Sequence, residues 1–196
     1  MKGIVLYGPP ASGKSTVTAA LTVLDPRFVL LRKLKAGDRR GSEYEFVSIE
    51  RMAELRTGGR LLVETHRYGN TYAVDRHQVE RMTTAGQVPI VHMGNIPDIR
   101  RLIDVGLWLV VLLWVSRESC ERRSRQRRDD DTDRRLRAWD ETLADLCAHG
   151  DSLFSCRFET DEITPDGGAR QIARAFDDRQ GGELHSPRLP IQDSLP

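Results

Sequence analysis

Residues 8–15 combine the side chains that a nucleoside triphosphate site requires. Their sequence, Gly-Pro-Pro-Ala-Ser-Gly-Lys-Ser, fits the pattern G-x-x-x-x-G-K-[ST]. In this pattern the glycines let backbone N–H groups face the phosphates, the lysine neutralises the β- and γ-oxygens, and the hydroxyl is a ligand for Mg²⁺. We therefore predict ATP and Mg²⁺ as cofactors, with Lys14 as a catalytic cation and Ser15 as the metal ligand. The residues assigned to ATP binding are Gly8, Pro9, Pro10, Ala11, Ser12, Gly13, Lys14, Ser15 and Thr16.

A second concentration of charge lies between residues 117 and 137. It contains nine arginines, at positions 117, 122, 123, 125, 127, 128, 134, 135 and 137. Because like charges at this density repel one another unless anions neutralise them, one interpretation is a mobile lid whose arginines close over phosphates. The other interpretations are a solvated helical hairpin and a nucleic-acid surface. No aromatic residue is interleaved with these arginines before Trp139, which disfavours the last.

The elements that position these groups follow from the hydrophobic pattern. An apolar run at 4–7 ends at the phosphate loop, and residues 14–24 carry apolar side chains at helical spacing. A strand before the loop and a helix after it argue against the alternative of a glycine-rich turn with a chance Lys-Ser pair. Further strands are predicted at 28–31, 44–47, 61–64, 68–74, 88–93, 107–115 and 153–158, and further helices at 49–57, 75–85, 97–105, 117–127, 133–149 and 167–176.

The order of these elements predicts the fold class. Strands that alternate with helices are typical of an α/β fold in which a parallel sheet is covered on both faces. Residues 32–74 interrupt the alternation with clustered strands, so they are expected to form a small insertion on the core. Residues 181–196 are rich in Gly, Pro and Ser, a composition typical of a flexible tail.

Composition excludes several classes of protein. The chain has 196 residues, of which 39% are hydrophobic and 30% charged, as in an ordinary globular domain. Its net charge of +1 gives no reason to expect a nucleic-acid partner. We expect no membrane span and no signal peptide, because the longest apolar stretch is about half the length that a span needs and no apolar leader follows Met1. The three cysteines share no metal-type spacing, which predicts reduced thiols and a cytoplasmic location.

Several segments together resemble guanylate kinase and its relatives. They are the phosphate loop, the sequence Gly-Ser-Glu-Tyr-Glu-Phe-Val-Ser at 41–48, the sequence Gly-Asn-Thr-Tyr at 69–72, and the arginines of 123–135. Their order and approximate spacing agree with that family over residues 1–165. The resemblance implies a three-layer P-loop kinase fold in one domain, 1–180. Its parts would be a core at 1–31, 86–121 and 138–180, a small mixed-β monophosphate-binding insertion at 32–85, and an arginine-rich helical lid at 122–137.

The resemblance also implies roles for individual residues. The phosphate of the acceptor would contact Arg32, Lys35, Tyr44 and Tyr72. The lid would supply the catalytic cations Arg123, Arg127 and Arg135. Cations and hydroxyl donors that converge on phosphate oxygens are chemically suited to this task. Glu64 lies near the position of the family's guanine-binding glutamate, and His92 stands in place of an Asp-x-Asp pattern, so both are candidate acceptor-binding residues.

The positions that would recognise guanine depart from the family pattern. Apolar residues or glycine replace expected polar groups at Phe28, Leu31, Val74 and Gly94. The predicted partner is therefore a small phosphorylated acceptor, most simply a nucleoside 5′-monophosphate such as GMP or a modified nucleotide, with a phosphorylated sugar as the alternative. A non-catalytic guanylate-kinase-like binding module is the alternative of another class, although such modules typically lose the loop lysine or the lid arginines. The chain is expected to be a monomer or a homodimer.

Overall fold

The computed structural model describes residues 1–126, 131–150 and 152–180. Arg127 and the predicted tail at 181–196 lie outside the described residues. Nine strands are described: β1 (Lys2–Tyr7), β2 (Phe28–Leu30), β3 (Lys33–Ala36), β4 (Tyr44–Phe46), β5 (Leu61–Arg67), β6 (Asn70–Asp75), β7 (Val88–Met93), β8 (Leu107–Trp114) and β9 (Cys156–Glu159). Seven helices are described: α1 (Lys14–Leu24), α2 (Ile49–Thr57), α3 (Arg76–Thr84), α4 (Ile96–Ile103), α5 (Arg117–Gln126), α6 (Thr132–His149) and α7 (Pro165–Gln180).

Five parallel strands form the main sheet in the order β2-β7-β1-β8-β9. Alternate residues of β1 face opposite layers of helices. Ile4 and Leu6 belong to the apolar cluster that contains side chains of α1 and α7, whereas Val5 and Tyr7 belong to the cluster that contains side chains of α3, α4 and α6. The sheet is therefore buried on both faces, which explains why its strands are nearly continuous apolar runs.

A second sheet, of mixed direction, is built from residues 33–75 in the order β4-β3-β6-β5. Helix α2 covers one face of it, where Met52 and Leu55 pack with Leu34 and Ala73. The helix begins where expected, because Ser48 caps it by accepting a hydrogen bond from the backbone N–H of Arg51 at 3.0 Å. The uncovered face of this sheet is turned towards the carboxyl ends of the main strands and lines a cavity described below.

Strand β3 is the main departure from the expected elements. Its sequence, Lys-Leu-Lys-Ala, lies in a basic stretch that the apolar pattern does not separate from a loop, yet it pairs with both β4 and β6. The last strand is also shorter than expected, since it begins at Cys156. The last helix is longer than expected at both ends, since it begins at Pro165 and ends at Gln180.

None of the helices in the described parts of the chain is long and apolar enough to cross a membrane. The three cysteines, Cys120, Cys147 and Cys156, are free thiols. Burial raises the pKa of the Cys156 thiol to about 11, so that it stays protonated near neutral pH.

Candidate active site

The phosphate loop joins β1 to α1, and two of its glycines are required by geometry. Gly8 has a φ of 152°, and a Cβ there would meet the carbonyl oxygen of Leu113 at 2.0 Å. Gly13 directly precedes α1 with a left-handed φ of 83°. The backbone therefore turns sharply where the sequence pattern places glycine, and the N-terminus of α1 points out of the turn.

Lys14 lies in the first turn of α1 and bends back over the loop. Its Nζ donates to the carbonyl oxygens of Gly8 at 2.7 Å and Pro9 at 2.9 Å. The pKa of Lys14 is lowered to about 8, chiefly by burial; the charges of Lys33 and Arg135 contribute to this shift, and Glu43 opposes it. This ammonium group is poorly solvated and surrounded by cations, so an anionic ligand would be stabilised there.

An open cavity of about 190 Å³ borders the loop on the side of β9 and α7. Its lining includes Gly13, Thr16, Val17, Arg123, Thr160 and Gly168. Arg123 is held at its edge by hydrogen bonds to the carbonyl oxygens of Ala11 at 3.0 Å and Thr160 at 2.9 Å, and by Asp161 at 3.0 Å. The guanidinium is thus anchored beside the phosphate loop before any ligand binds.

A second cavity, of about 160 Å³, lies between the uncovered face of the second sheet and β7. We call it the acceptor cavity after the role that the sequence predicts for Tyr44 and Tyr72 in its lining. It is lined by Lys33, Tyr44, Val63, Thr65, Arg67, Tyr68, Tyr72, Ala73, Val74, Met93, Gly94 and Asn95. The rings of Tyr44 and Tyr72 have centroids 5.3 Å apart, and the Nζ of Lys33 lies 5.6 Å from the Tyr72 centroid. Burial lowers the pKa of Lys33 to about 8, opposed by Glu43 and Asp98. The cavity therefore joins aromatic hydroxyls to a desolvated cation.

Lys35 and Arg32, the other residues predicted to bind the acceptor's phosphate, do not line the cavity. Lys35 is only 4% exposed, and its ammonium group is paired with Asp38 and bonded to the carbonyl oxygen of Arg40 at 3.0 Å. Its Nζ still lies 5.2 Å from the Tyr44 ring centroid, so it belongs to the same face of the sheet. Arg32 is exposed at the end of β2 and is not part of the cavity lining.

Glu64 is not brought into the acceptor cavity. Its neighbours Val63 and Thr65 line that cavity, whereas the Glu64 carboxylate accepts a hydrogen bond from Arg56 Nε on α2 at 2.7 Å. This bond is the main reason why the pKa of Glu64 is below its usual range. The expectation that Glu64 contacts the acceptor therefore has no support from this geometry, because side chains alternate between the two faces of a strand.

His92 is largely buried between the two sites. Its Nε2 lies 2.8 Å from the hydroxyl of Thr18 on α1. Burial, together with the charges of Lys14 and Lys33, lowers the pKa of His92 to about 3, so the imidazole is neutral near pH 7. It is not part of the lining of either cavity, which makes it a partner of α1 in this structure rather than a wall of the acceptor cavity.

Several polar lining residues were not assigned a role from the sequence, among them Lys33, Thr65 and Asn95. The alternation of Lys and apolar residues in β3 is the signal that could have revealed Lys33, since it places Lys33 and Lys35 on one face of a strand. Thr65 and Asn95 carry no such signal. They meet only because β5 packs beside α4.

The second sheet also contacts helix α6, whose first residues belong to the predicted lid. Arg67 forms an ion pair with Glu141 of α6, and the hydroxyl of Tyr68 donates to the same carboxylate at 2.7 Å. The guanidinium of Arg134, at the start of α6, lies 5.0 Å from the Tyr68 ring centroid. These contacts connect the acceptor cavity to the helix that carries Arg135.

Comparison with known proteins identifies relatives in sequence and in fold. The chain is 35% identical to guanylate kinase of Symbiobacterium thermophilum over 98 residues, which are 47% of this chain and 46% of the relative. It is 32% identical to guanylate kinase of Ralstonia nicotianae over 87 residues, 42% of this chain and 39% of the relative. The crystal structure of guanylate kinase from Anaplasma phagocytophilum matches with a TM-score of 0.63 and 19% identity, covering 97% of this chain and 96% of that one. The chain is thus similar to guanylate kinases over part of its sequence and throughout its fold.

The structural match confirms the expected fold class, an α/β P-loop kinase fold with a central parallel sheet. No family model matches the chain. The sequence matches span less than half the length of the two curated relatives.

Proposed function

We propose that this protein is an ATP- and Mg²⁺-dependent kinase that transfers the γ-phosphoryl group to a nucleoside 5′-monophosphate. The observation that carries the proposal is that the phosphate loop with Lys14 borders one cavity, while Lys33 in the second cavity is near enough for its charge to act on Lys14. That charge contributes to the lowered pKa of Lys14. Two anionic ligands would therefore bring their phosphates to one shared cationic centre.

The residues around this centre suit phosphoryl transfer without a covalent intermediate. Lys14 and Arg135 would neutralise charge on the transferred group, and Arg123 would hold the loop and the nucleotide cavity together. Arg127 keeps the catalytic role predicted from the sequence. The acceptor phosphate is already a nucleophile, so the reaction needs no general base. This agrees with a neutral His92 that is bonded to Thr18.

The residues present fit Mg²⁺ bound together with nucleotide phosphates. Ser15 is exposed in the first turn of α1, beside Lys14. The described residues contain no group of three or more His, Cys, Asp or Glu that could hold a metal ion. Mg²⁺ typically keeps several waters and takes few protein ligands, so Ser15 and phosphate oxygens would suffice. When bound, the ion would neutralise the β- and γ-phosphates.

GMP is the first candidate acceptor because the relatives are named guanylate kinases, and a modified nucleotide is the second. The acceptor cavity keeps Tyr44, Tyr72 and a desolvated Lys33 for a phosphate. A phosphorylated sugar and a non-catalytic binding module remain the alternatives. We also infer a cytoplasmic location, and a monomer or homodimer, from the sequence alone.

A coupled ADP-release assay across nucleoside monophosphates and phosphorylated sugars tests this proposal. We expect turnover with at least one monophosphate and a loss of about 10²–10³ in kcat for Lys14→Ala, because one cation for the transferred group is removed. Lys2→Ala, far from the site at the start of β1, is the matched control and should be unaffected. Release of ADP with no acceptor, or turnover only with sugars, would refute a nucleoside-monophosphate kinase.

A further inference from the structure

Thr65 of β5 is tied to a buried carboxylate behind the wall of the acceptor cavity. Its hydroxyl donates to Oδ2 of Asp98, a residue of α4 that is only 4% exposed. Thr65 itself lines the cavity, and so does Asn95, which precedes α4. Asp98 is not among the lining residues, so its hydrogen bonds reach the cavity only through its neighbours, whereas its charge also acts on Lys33.

Both oxygens of the Asp98 carboxylate accept hydrogen bonds. Oδ2 accepts from Asn95 Nδ2 at 2.6 Å as well as from Thr65, and Oδ1 accepts from Arg101 at 2.9 Å. The backbone N–H of Asp98 donates to Asn95 Oδ1 at 2.8 Å. The carboxylate is thus locked in position, and neither Thr65 nor Asn95 can rotate without losing a bond to a buried charge.

This arrangement determines what Thr65 presents to a ligand. A threonine hydroxyl has one hydrogen and two lone pairs. Because the hydrogen is directed to Asp98, only lone pairs remain for the cavity. Thr65 is therefore a fixed acceptor, whereas the charged side chains in the lining, Lys33 and Arg67, are donors.

Thr65 lies two strands away from β3, which carries the lysines expected to bind the acceptor's phosphate. In the second sheet, Tyr72 is paired with Lys35 on one side and with Thr65 on the other. Neighbouring strands are about 4.8 Å apart, so β5 lies about 10 Å from the lysine-bearing strand β3. A phosphate at β3 leaves room for a sugar before the far end of the ligand reaches Thr65. A phosphate has no hydrogen to donate near neutral pH once both charges are formed, so it would not bind to this hydroxyl.

We propose that Thr65, oriented by Asp98, accepts a hydrogen bond from an N–H group of the acceptor's nucleobase. Thr65 is then a specificity-determining residue that favours a nucleotide over a phosphorylated sugar, and Asp98 is a positioning residue. This inference rests on the proposed use of the acceptor cavity by a nucleoside monophosphate. Guanine, adenine, cytosine and uracil all carry a suitable N–H. Thr65 therefore does not discriminate among the bases, and any such selectivity comes from the other lining groups.

The test measures ligand binding by calorimetry, so it does not depend on turnover. The probes are GMP, AMP, CMP and UMP, the analogues that lack a base N–H (purine and 2-pyrimidinone riboside 5′-monophosphates), and ribose 5-phosphate. For the nucleotide that binds most tightly, we expect Thr65→Val to weaken binding about tenfold, the usual effect of one lost hydrogen bond. The N–H-free analogue and ribose 5-phosphate should change less than about twofold, and Thr65→Ser should restore nucleotide binding.

Asp98→Asn provides a second, independent variant. Its amide can donate, which allows the Thr65 hydroxyl to turn its hydrogen into the cavity, so the preference for the nucleotide over its N–H-free analogue should shrink. The lost charge of Asp98 also acts on Lys33, so a change in affinity that all probes share, ribose 5-phosphate included, reports that effect and not the orientation of Thr65. A merely structural Asp98 would lower the melting temperature without changing that preference. Equal losses for all probes in Thr65→Val, no loss for any, or no nucleotide binding by the wild type would overturn the inference. Failure of the kinase proposal would appear instead as nucleotide binding without ADP release.

Discussion

Lys33 combines a cavity-facing ammonium group with a pKa of about 8, lowered chiefly by burial. Its charge is present near pH 7 and is lost as the pH rises through 8. With ATP saturating, the nucleotide phosphates stabilise the charged form of Lys14, so the titration of Lys33 should dominate. We then expect kcat/KM for the acceptor to fall above about pH 8, because an uncharged amine attracts a phosphate less strongly. In Lys33→Arg the guanidinium stays charged, so the fall should move to higher pH. Identical pH profiles for the two proteins would show that Lys33 does not bind the acceptor.

His92 makes a separate prediction, about stability. Its pKa is about 3 in the folded protein and near 6.5 in an unfolded chain. The unfolded state therefore binds more protons below pH 6.5, and folding loses stability as the pH falls. Between about pH 7.5 and 5.5 we expect His92 to remove about 1 kcal/mol from the free energy of unfolding. Urea titrations would measure this.

The matched variants for this experiment are His92→Gln and His77→Gln. A glutamine side chain does not titrate, so the His92→Gln protein should lose much of the dependence on pH. His77 is exposed in α3, and its replacement should leave the dependence as in the wild type. A His92→Gln protein that still loses the same stability on acidification would contradict a buried neutral imidazole.

At the scale of elements, helix α6 carries Arg135 towards the phosphate loop, where its charge lowers the pKa of Lys14. A cation placed for the transferred group should matter more in the transition state than in the ground state. We expect Arg135→Ala to reduce kcat by about 10²-fold while the dissociation constant of ATP changes less than about threefold. Arg137→Ala, exposed on the same helix, is the control. Equal losses in ATP affinity and kcat would make Arg135 a ground-state binder.

The contact between the second sheet and α6 depends on Glu141, which binds both Arg67 and Tyr68. This contact holds one wall of the acceptor cavity in place. Without it the wall should be less ordered, and acceptor binding would have to order it at a cost in affinity. For Glu141→Gln we expect the acceptor KM to rise about three- to tenfold with little change in kcat, and stability to change by less than about 1 kcal/mol because the pair is exposed. Asp140→Asn, which removes an ion pair with Arg117 away from the second sheet, is the matched control. An unchanged KM would mean that the contact does not shape the cavity.

For the whole molecule, the two cavities and the loop between them should act as one binding surface. A ligand in which adenosine and guanosine are joined by a chain of phosphates should occupy both cavities at once. We expect it to raise the melting temperature about 5–10 °C more than ATP or GMP alone at equal concentration, because linked ligands bind more tightly and stabilise the folded state accordingly. Lys14→Ala should lose most of this shift. A shift no larger than that of ATP would argue against adjacent sites.

Local patterns were sufficient to predict the phosphate loop and most elements of the main sheet. The loop depends on glycines and a lysine within eight consecutive positions, and the bounds of α1 and β7 coincide with the apolar patterns that predict them. Such features are encoded over short stretches, since backbone turns, helix caps and apolar periodicity involve near neighbours in sequence. Tyr44 and Tyr72 were likewise predicted through the resemblance, and they lie together in the cavity.

The residues that form the wall of the acceptor cavity could not be predicted from local sequence patterns. Glu64 was expected there, but the alternation of β5 directs Thr65 inward and pairs Glu64 with Arg56 of α2. Asp98 and Glu141 contact residues of the second sheet that are more than thirty positions away in sequence. They do so only because α4 and α6 pack against that sheet. The types of the residues determine which groups can bind phosphate. Which of them face one another depends on strand register and helix packing, because a shift of one residue in a strand exchanges its two faces.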